Sequence, residues 1–152
     1  MILGVHHAAI AVPDINAAVA FYCDLLGFEI AMEAQIPGGI DVMADALGVA
    51  DSGFAVRMIK KGNSCIELFQ FDETEAGDDA RPVNRVGITH IALASDSIES
   101  DYANLSENGV SFNAALMGAA PGRFAYGRDP FGNVIELLEH NPGAGDSLDF
   151  DK

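Results

Sequence analysis

The sequence predicts an α+β fold made of two tandem βαβββ modules. Three observations support this prediction: the chain repeats itself, each repeat opens with a strand pattern followed by a helical pattern, and each repeat closes with a strand that holds a central glutamate. Segment 5–28 is similar to segment 88–110, and His7 aligns with His90. Such internal similarity indicates one supersecondary unit that is present twice.

The helix of each module is marked at both ends. Asp14 in the first repeat and Ser97 (or Asp96) in the second are good N-cap residues, because their side-chain oxygens accept hydrogen bonds from unpaired backbone N–H groups. Gly27 and Gly109, which align after one deleted residue, suit the left-handed conformation that ends many helices. Between the first cap and its glycine, apolar residues recur at helical spacing at Ile15, Val19, Tyr22 and Leu26.

Four strands are predicted in each module. Sequences dense in strand formers place them at about 4–12, 28–37, 53–60 and 64–71, and at about 86–95, 110–117, 122–128 and 133–139. Turn-forming residues at Lys60–Asn63 and Asp129–Asn133 indicate hairpins. The first half is longer, and most of its excess lies at about 33–52. We interpret this insertion as a flap or short helix over a site.

The domain limits follow from the repeat. The first module is predicted at 1–71 and the second at 86–140. An acidic linker at 72–85, which contains Pro82, joins them. The Gly- and Asp-rich segment 141–152 is predicted to be a flexible tail.

Composition and charge argue against several classes of partner. The chain has 152 residues, 49% of them hydrophobic, and a net charge of −15 from 23 acidic and 8 basic residues. An acidic surface repels phosphate backbones and anionic lipid headgroups, so nucleic acid and membrane partners are not expected. No apolar run approaches the ~20 residues of a membrane helix. The first residues lack the pattern of a signal peptide, so we predict a cytoplasmic protein.

Two cysteines are present, Cys23 and Cys65. Neither belongs to a Cys-x-x-Cys pair, and no disulfide framework is indicated. We interpret both as buried apolar thiols rather than as ligands or nucleophiles.

Four ionisable residues stand at equivalent places in the two repeats. They are two histidines and two glutamates: His7, Glu67, His90 and Glu136. Strand alternation places each among small or apolar side chains, where an ionisable group is costly unless it is paired or binds a metal. One such residue would mean little, but four at matched positions can hold one divalent cation. Two imidazoles and two carboxylates suit Zn, Ni, Co, Mn or Fe, and the identity of the ion stays open.

The motifs around these residues resemble a known family. The matching segments are His7-Ala-Ala-Ile-Ala-Val-Pro-Asp, Ala20-Phe-Tyr-Cys-Asp-Leu-Leu-Gly-Phe, Ile66-Glu-Leu, Thr89-His-Ile-Ala-Leu and Asp129-Pro-Phe-Gly-Asn-Val-Ile-Glu-Leu, which together span about 4–139. They are similar to the vicinal oxygen chelate superfamily, which includes glyoxalase I, methylmalonyl-CoA epimerase, extradiol dioxygenases, bleomycin-resistance proteins and thiol-transferring fosfomycin-resistance enzymes. The motifs are specific for the superfamily but not for one reaction.

The resemblance implies that the strands of the two βαβββ modules curl into one open cup around a metal ion. It carries ligand roles onto His7, Glu67, His90 and Glu136. The two glutamates, Glu67 and Glu136, are also implied as catalytic groups that move a proton next to a carbonyl. This set looks like glyoxalase I and the epimerases, so we expect a metal-dependent lyase or isomerase. His6 is expected to point away, because His7 aligns with His90, and His140 is expected at the surface.

Two alternatives remain open. Extradiol dioxygenases use two histidines and one glutamate, and the place of Glu67 usually lacks a ligand in them. Tyr126 keeps that alternative open, because its strand parity points toward the cup and a tyrosine near the metal accompanies dioxygenase chemistry. The other alternative is a non-catalytic member of the superfamily that binds a small molecule.

The sequence encodes the substrate and the assembly less strongly. The candidate basic contacts for an anionic substrate are Arg57, Lys60, Lys61, Arg123 and Arg128. The strand residues Arg57 and Arg123 could reach the cup, although strand residues of this kind more often lie at solvated edges. A hemithioacetal, an acyl-CoA and a cyclic hydroxyketone all remain candidate substrates. We expect a homodimer, because relatives commonly pair modules within or between chains.

Overall fold

Two four-stranded mixed sheets organise the chain in the computed structural model. The structure describes residues 1–49, 52–74 and 82–150. The chain divides into two units, Met1–Ala76 with Asp149–Lys152 and Gly77–Leu148, and each unit contains one of the sheets. The predicted α+β fold of two tandem βαβββ modules is therefore confirmed.

The first unit pairs its first strand with its last. Its elements are β1 (Ala8–Ala11), α1 (Ile15–Val19) with a π-helical continuation (Ala20–Leu25), β2 (Glu29–Ile36), α2 (Asp41–Leu47), β3 (Phe54–Lys61) and β4 (Ser64–Phe71). The strand order is β1-β4-β3-β2, in which only β1 and β4 run parallel. Parallel neighbours need a long crossover, and the helix with the β2–β3 hairpin provides it. The short helix predicted within the insertion corresponds to α2.

The second unit repeats this topology. Its elements are β5 (Ile91–Ser95), α3 (Ile98–Glu107), β6 (Ser111–Phe112), β7 (Phe124–Arg128) and β8 (Val134–Glu139). The order β5-β8-β7-β6 again places the first strand parallel to the last. No counterpart of α2 stands between β6 and β7 in the described part of this unit. The seven-residue α2 is therefore part of the extra length of the first repeat.

Each sheet has two faces. The helix face packs against the helix of its unit, and the glutamate face carries Glu67 in the first unit or Glu136 in the second. In the first unit the helix face holds the buried Ile59, Ile66 and Leu68. Gln70 lies on that same face, and its Oε1 accepts a 2.8 Å hydrogen bond from the backbone N–H of Ile15, the first residue of α1. The main core of each unit therefore lies between helix and sheet, which leaves the opposite face for the glutamate.

The predicted capping residues lie at all four helix ends, and three of the four act as predicted. Asp14 Oδ1 accepts hydrogen bonds from the backbone N–H groups of residues 16 and 17. Gly27 and Gly109 adopt φ values of 73° and 94°, a conformation that costs glycine little. Ser97 is the N-cap of α3, but its side chain makes no capping bond. Instead Ser95 Oγ accepts the N–H of Ser97 at 3.0 Å.

Several predicted strands are longer than the observed ones. β1 and β5 begin one residue after His7 and His90, so these histidines precede their strands rather than lie within them. The strand predicted at 110–117 pairs regularly only over β6, Ser111–Phe112. Beyond it the chain bulges, although the backbone N–H of Met117 still donates to the carbonyl of Phe124 at 2.9 Å. A strand-forming composition cannot reveal such a bulge, because pairing depends on the neighbouring strand.

The segments outside the modules are only partly described. Residues 75–81, in the middle of the linker predicted at 72–85, lie outside the described residues. In the segment predicted to be a flexible tail, the carbonyl of Asp149 accepts a 2.7 Å hydrogen bond from Asn63 Nδ2 in the β3–β4 turn. Within the described ranges, no helix is both long and apolar enough to cross a membrane.

The β7–β8 turn provides a test of local stability. Asp129 is buried, and its carboxylate accepts hydrogen bonds from the backbone N–H groups of Phe131 and Asn133 and from the Asn133 side chain. We expect Asp129→Ala to lower the free energy of unfolding by about 1–3 kcal/mol, because it leaves buried donors without that acceptor. Chemical denaturation measures this change.

The matched control is Asp96→Ala. Asp96 is also an aspartate outside regular structure, but it is exposed and accepts one surface hydrogen bond from Ser97. Its loss should change stability by no more than about 0.5 kcal/mol. Equal effects of the two substitutions would contradict the structural role assigned to Asp129.

Candidate metal centre

In the first unit, His7 and Glu67 form a close pair. The parallel register of β1 and β4 sets Ala9 beside Glu67, and His7 precedes Ala9 by two residues on the same side. His7 Nε2 lies 3.2 Å from Glu67 Oε2. The side chains are 35% and 17% exposed, so solvent reaches the pair from one side while the sheet backs it.

The second unit repeats this pair with His90 and Glu136. The register of β5 and β8 sets Ala92 beside Glu136, and His90 Nε2 lies 3.1 Å from Glu136 Oε2. The side chains are 29% and 13% exposed. Each unit therefore presents one imidazole nitrogen and one carboxylate oxygen at the same place in the module, as their alignment predicts.

The donor sets and their spacings fit a divalent metal ion. Ligand bonds of ~2.0–2.2 Å at angles of ~90–110° place neighbouring ligand atoms ~2.8–3.6 Å apart. Both nitrogen–oxygen distances, 3.2 and 3.1 Å, fall in this range. Among the described residues, His, Cys, Asp and Glu side chains form no group of three or more suited to a metal. The structure thus brings the predicted ligands together as two pairs, and the four-ligand centre remains a prediction.

The second ring nitrogen of each histidine also has a partner. His6 Nδ1 lies 2.9 Å from His7 Nδ1, and Thr89 Oγ1 lies 2.8 Å from His90 Nδ1. His6 therefore contacts His7, and it does not contact Glu67. In both modules the residue directly before the histidine makes this contact. Sequence comparison of the repeats missed it, because a histidine and a threonine do not look equivalent.

Tyr126 joins the pair of the second unit. It lies beside Glu136 in the β7–β8 register, and its ring meets the His90 ring edge-on with centroids 5.1 Å apart. Burial first, and then a hydrogen bond to Glu136, raises the pKa of the Tyr126 hydroxyl. In the first unit the residue beside Glu67 is Met58. The parity prediction for Tyr126 is confirmed, and the two pairs differ because only the second has this phenol.

Apolar rings adjoin the pairs on the glutamate face. Phe69 follows Glu67 by two residues, and its ring stacks with that of Phe71 at an interplanar angle of 10° and a centroid distance of 5.4 Å. Phe54 lies against both rings. In the second unit Phe124 lies two residues before Tyr126, with ring centroids 5.9 Å apart. Each histidine–glutamate pair is therefore next to hydrocarbon surface.

Comparison with known proteins decides the family. The sequence profile of the Glyoxalase/Bleomycin resistance protein/Dioxygenase superfamily matches residues 4–137. The chain belongs to this superfamily.

Individual relatives agree with the superfamily assignment. The uncharacterized protein YaeR of Escherichia coli (strain K12) is 31% identical over 136 residues, which cover 89% of this chain and 95% of that protein. A crystal structure of a glyoxalase family protein from Bacillus cereus has a TM-score of 0.80 at 22% identity, covering 91% of this chain and 95% of that chain. The trypanothione-dependent glyoxalase I of Leishmania major has a TM-score of 0.65 at 17% identity, covering 90% and 86%. The two structures share the superfamily fold with this chain.

Two of the basic residues proposed to contact substrate lie on the wrong face of their sheets. Arg57 is in register with Leu68 on the helix face, and its Nε lies 3.2 Å from the carboxylate of Glu33. Arg123 pairs with Glu139 and with Glu99 of α3. Neither Arg57 nor Arg123 reaches toward Glu67 or Glu136, because strand parity directs both side chains to the helix face.

The remaining candidates have separate surroundings. Lys60 and Lys61 are exposed at the end of β3, and Lys61 Nζ donates to the carbonyl of Leu26. Arg128 lies on the glutamate face and donates to the carbonyl of Gly132 at 2.7 Å. His140 is half-buried rather than exposed. Its backbone N–H donates to the carbonyl of Ser95.

Cys23 and Cys65 are half-buried free thiols rather than fully buried ones. Burial, followed by the nearby charge of Asp24, raises the pKa of the Cys23 thiol. A raised pKa disfavours the thiolate, which is the form that attacks substrates or binds metals. The raised pKa of Cys23 therefore favours the interpretation of this residue as an apolar thiol.

The Arg123–Glu139 ion pair gives a pH test that is independent of the metal. The Arg123 side chain, followed by the backbone N–H groups of Arg123 and Gly122, lowers the pKa of Glu139 to about 2 from 4.5. A folded-state pKa below the unfolded one adds stability that is complete above about pH 4.5 and is lost as the pH falls toward about 2. We expect the thermal midpoint of the wild type to fall more steeply over this range than that of Glu139→Gln.

The matched control for this test is Glu73→Gln, since Glu73 is exposed outside the sheets. It should keep the wild-type dependence of the thermal midpoint on pH. Parallel curves for the wild type and Glu139→Gln would show that the ion pair does not carry the predicted acid sensitivity.

Proposed function

We propose that this chain is a divalent-metal-dependent lyase or isomerase of glyoxalase or epimerase type, which moves a proton next to a carbonyl. The observation that carries the proposal is the repeated imidazole–carboxylate pair, at 3.2 Å in one module and 3.1 Å in the other. The proposed ligands are His7, Glu67, His90 and Glu136. The ion would be Zn, Ni, Co, Mn or Fe, which the mixed nitrogen and oxygen set suits.

The bound ion would chelate adjacent substrate oxygens and stabilise the negative charge that develops on them as a Lewis acid. The chain would supply the proton acceptor, for which Glu67 and Glu136 are the candidates, because both are carboxylates at the pairs and open in part to solvent. Tyr126 lies beside Glu136 in the β7–β8 register, where its hydroxyl would restrain that carboxylate. Glu67 lies beside Met58 instead, which offers no comparable donor.

The surroundings of the pairs favour a small, partly apolar substrate. Phe54, Phe69 and Phe71 would pack against hydrocarbon groups next to the chelated oxygens. Arg57 and Arg123 are engaged on the helix faces, so they would not bind an anionic group of the substrate. The glyoxalase I from Leishmania major shares the fold, which supports this reaction class by analogy.

An extradiol-type dioxygenase is the second candidate, and Tyr126 is the observation that favours it. Its ring lies edge-on to His90, and it lies beside Glu136 in the β7–β8 register. Glu67 favours proton transfer instead, because a fourth protein ligand leaves only about two of six positions for other oxygens. Binding of both a catechol and O₂ would need a further position.

The ligand assignment is tested by Glu67→Gln and Glu136→Gln. Each change removes one negative charge from the proposed centre while keeping side-chain size. Losing a residue that only supports a ligand typically costs 10–100-fold in affinity, so losing a ligand should cost at least about tenfold. Elemental analysis of protein purified without chelator, followed by titration with Zn²⁺, Ni²⁺ and Co²⁺, measures the effect.

Glu107→Gln is the matched control, because Glu107 is exposed at the end of α3. It should bind metal as the wild type does. Full metal content in both Glu67→Gln and Glu136→Gln would refute the four-ligand assignment.

The reaction class is tested by proton exchange in heavy water. A panel of hemithioacetals, acyl-CoA thioesters and cyclic hydroxyketones should contain a substrate that takes up deuterium at the carbon beside its carbonyl, without oxygen consumption. Oxygen uptake with ring cleavage of a catechol, retained in Glu67→Ala, would favour the dioxygenase. Metal binding without turnover of any compound in the panel or of a catechol would favour a non-catalytic binding protein.

We also propose that the protein is a cytoplasmic homodimer. Members with two modules per chain can still pair through exposed strand surface, and β2 exposes Ile30 and Met32 at the edge of its sheet. Sedimentation equilibrium should give about twice the chain mass of 16.0 kDa. A monomer mass that does not change with concentration would refute the dimer.

A further inference from the structure

The residue before each proposed histidine ligand occupies a matched position in the two modules. In the first module, His6 Nδ1 lies 2.9 Å from His7 Nδ1. In the second module, Thr89 Oγ1 lies 2.8 Å from His90 Nδ1. In both cases Nε2, the other ring nitrogen, faces the glutamate. Each imidazole is therefore held between a glutamate on one nitrogen and its sequence neighbour on the other.

This contact is unusual for adjacent residues. Successive side chains in a strand point to opposite faces, so neighbours rarely touch. Here His7 and His90 stand one residue before their strands begin, where alternation does not separate them from the preceding side chain. The same exception occurs twice in two different sequence contexts, which indicates a role common to both modules.

The two partners share one chemical property: each can both donate and accept a hydrogen bond. A threonine hydroxyl carries one proton and two lone pairs, and a neutral imidazole carries one N–H and one lone pair. A carboxylate could only accept, and a lysine could only donate. The sequence thus places side chains that can reverse their hydrogen bond beside both imidazoles.

A reversal is what metal binding requires. Without metal, a neutral histidine can donate Nε2–H to its glutamate, which leaves the Nδ1 lone pair to accept from Thr89 or His6. A metal ligand must offer the Nε2 lone pair, so the ring proton must move to Nδ1 and be accepted there. The glutamate is released from the histidine in the same change and becomes free to bind the ion.

We propose that His6 and Thr89 are positioning residues that donate to His7 and His90 in the metal-free protein and accept from them in the metal-bound protein. The proposal rests on the proposed metal centre. It assigns to these two side chains the selection of the imidazole tautomer at each step. Neither side chain would touch the ion or the substrate.

Nitrogen-15 NMR of the histidine rings tests the reversal directly. The spectra are recorded at about pH 8, where free imidazole is neutral, on metal-free wild type and on wild type saturated with diamagnetic Zn²⁺. His90 should carry its proton on Nε2 without metal and on Nδ1 with Zn²⁺. The same tautomer in both states would overturn the proposal.

Substitution of Thr89 separates its hydrogen bond from its shape. Thr89→Val keeps the size and branching but removes the hydroxyl, and Thr89→Ser keeps the hydroxyl. We expect Thr89→Val to bind Zn²⁺ about tenfold more weakly and to give a mixed tautomer signal for His90 without metal. Thr89→Ser should restore both the Zn²⁺ affinity and the tautomer of His90. If the role of Thr89 were merely structural, these two properties would not depend on whether residue 89 has a hydroxyl group.

The outcomes distinguish this inference from the proposed function. Wild-type affinity and wild-type tautomers in Thr89→Val would overturn the inference while leaving the metal centre in place. Failure of the wild type to bind Zn²⁺, Ni²⁺ or Co²⁺ at all would overturn both. His6→Phe, which keeps a planar ring but removes its nitrogens, should weaken Zn²⁺ binding in the same way, and an unchanged affinity would remove His6 from the proposal.

Discussion

The site depends on the parallel pairing between the first and last strands of each module. β1 lies beside β4 and β5 lies beside β8, with registers that set Ala9 beside Glu67 and Ala92 beside Glu136. A slip of one residue would turn each glutamate to the helix face, since side chains alternate along a strand. The helix and hairpin that complete the crossover make the parallel pairing possible, and the capping residues fix where that helix begins and ends.

The burial of the helix face holds this register in place. Ile59 and Leu68 in the first unit and Ile135 and Leu137 in the second are almost wholly buried. Moving them to the other face would expose their side chains to water. Each would then lose about 1.5–3 kcal/mol of hydrophobic stabilisation. Partial burial of polar groups on the glutamate face is unfavourable, because it removes them from water. The buried apolar side chains of the helix face offset this cost and keep the strands in register.

Two glutamates of the same strand have different electrostatic surroundings, because they lie on opposite faces of the sheet. Glu136 and Glu139 are three residues apart on β8 and so project to opposite sides. Glu139 is committed to Arg123, which lowers its pKa to about 2 and joins β7, β8 and α3. Glu136 has a histidine and a tyrosine as neighbours instead. Identical side chains thus serve a structural ion pair and a candidate ligand site according to their parity.

The sequence by itself determined the repeat, the α+β class, the caps at Asp14, Gly27 and Gly109, and the equivalent positions of the two histidines and of the two glutamates. These follow from local rules: periodicity of apolar residues, side-chain capping, and the alignment of one module with the other. It did not determine where the first strands begin, the short length of β6, or the contacts of His6 and Thr89. Those depend on which residues find partners across the sheet, which a single strand cannot specify. The faces of Arg57 and Arg123 were settled only by tertiary structure, because long charged side chains follow the register and the ion pairs available to them.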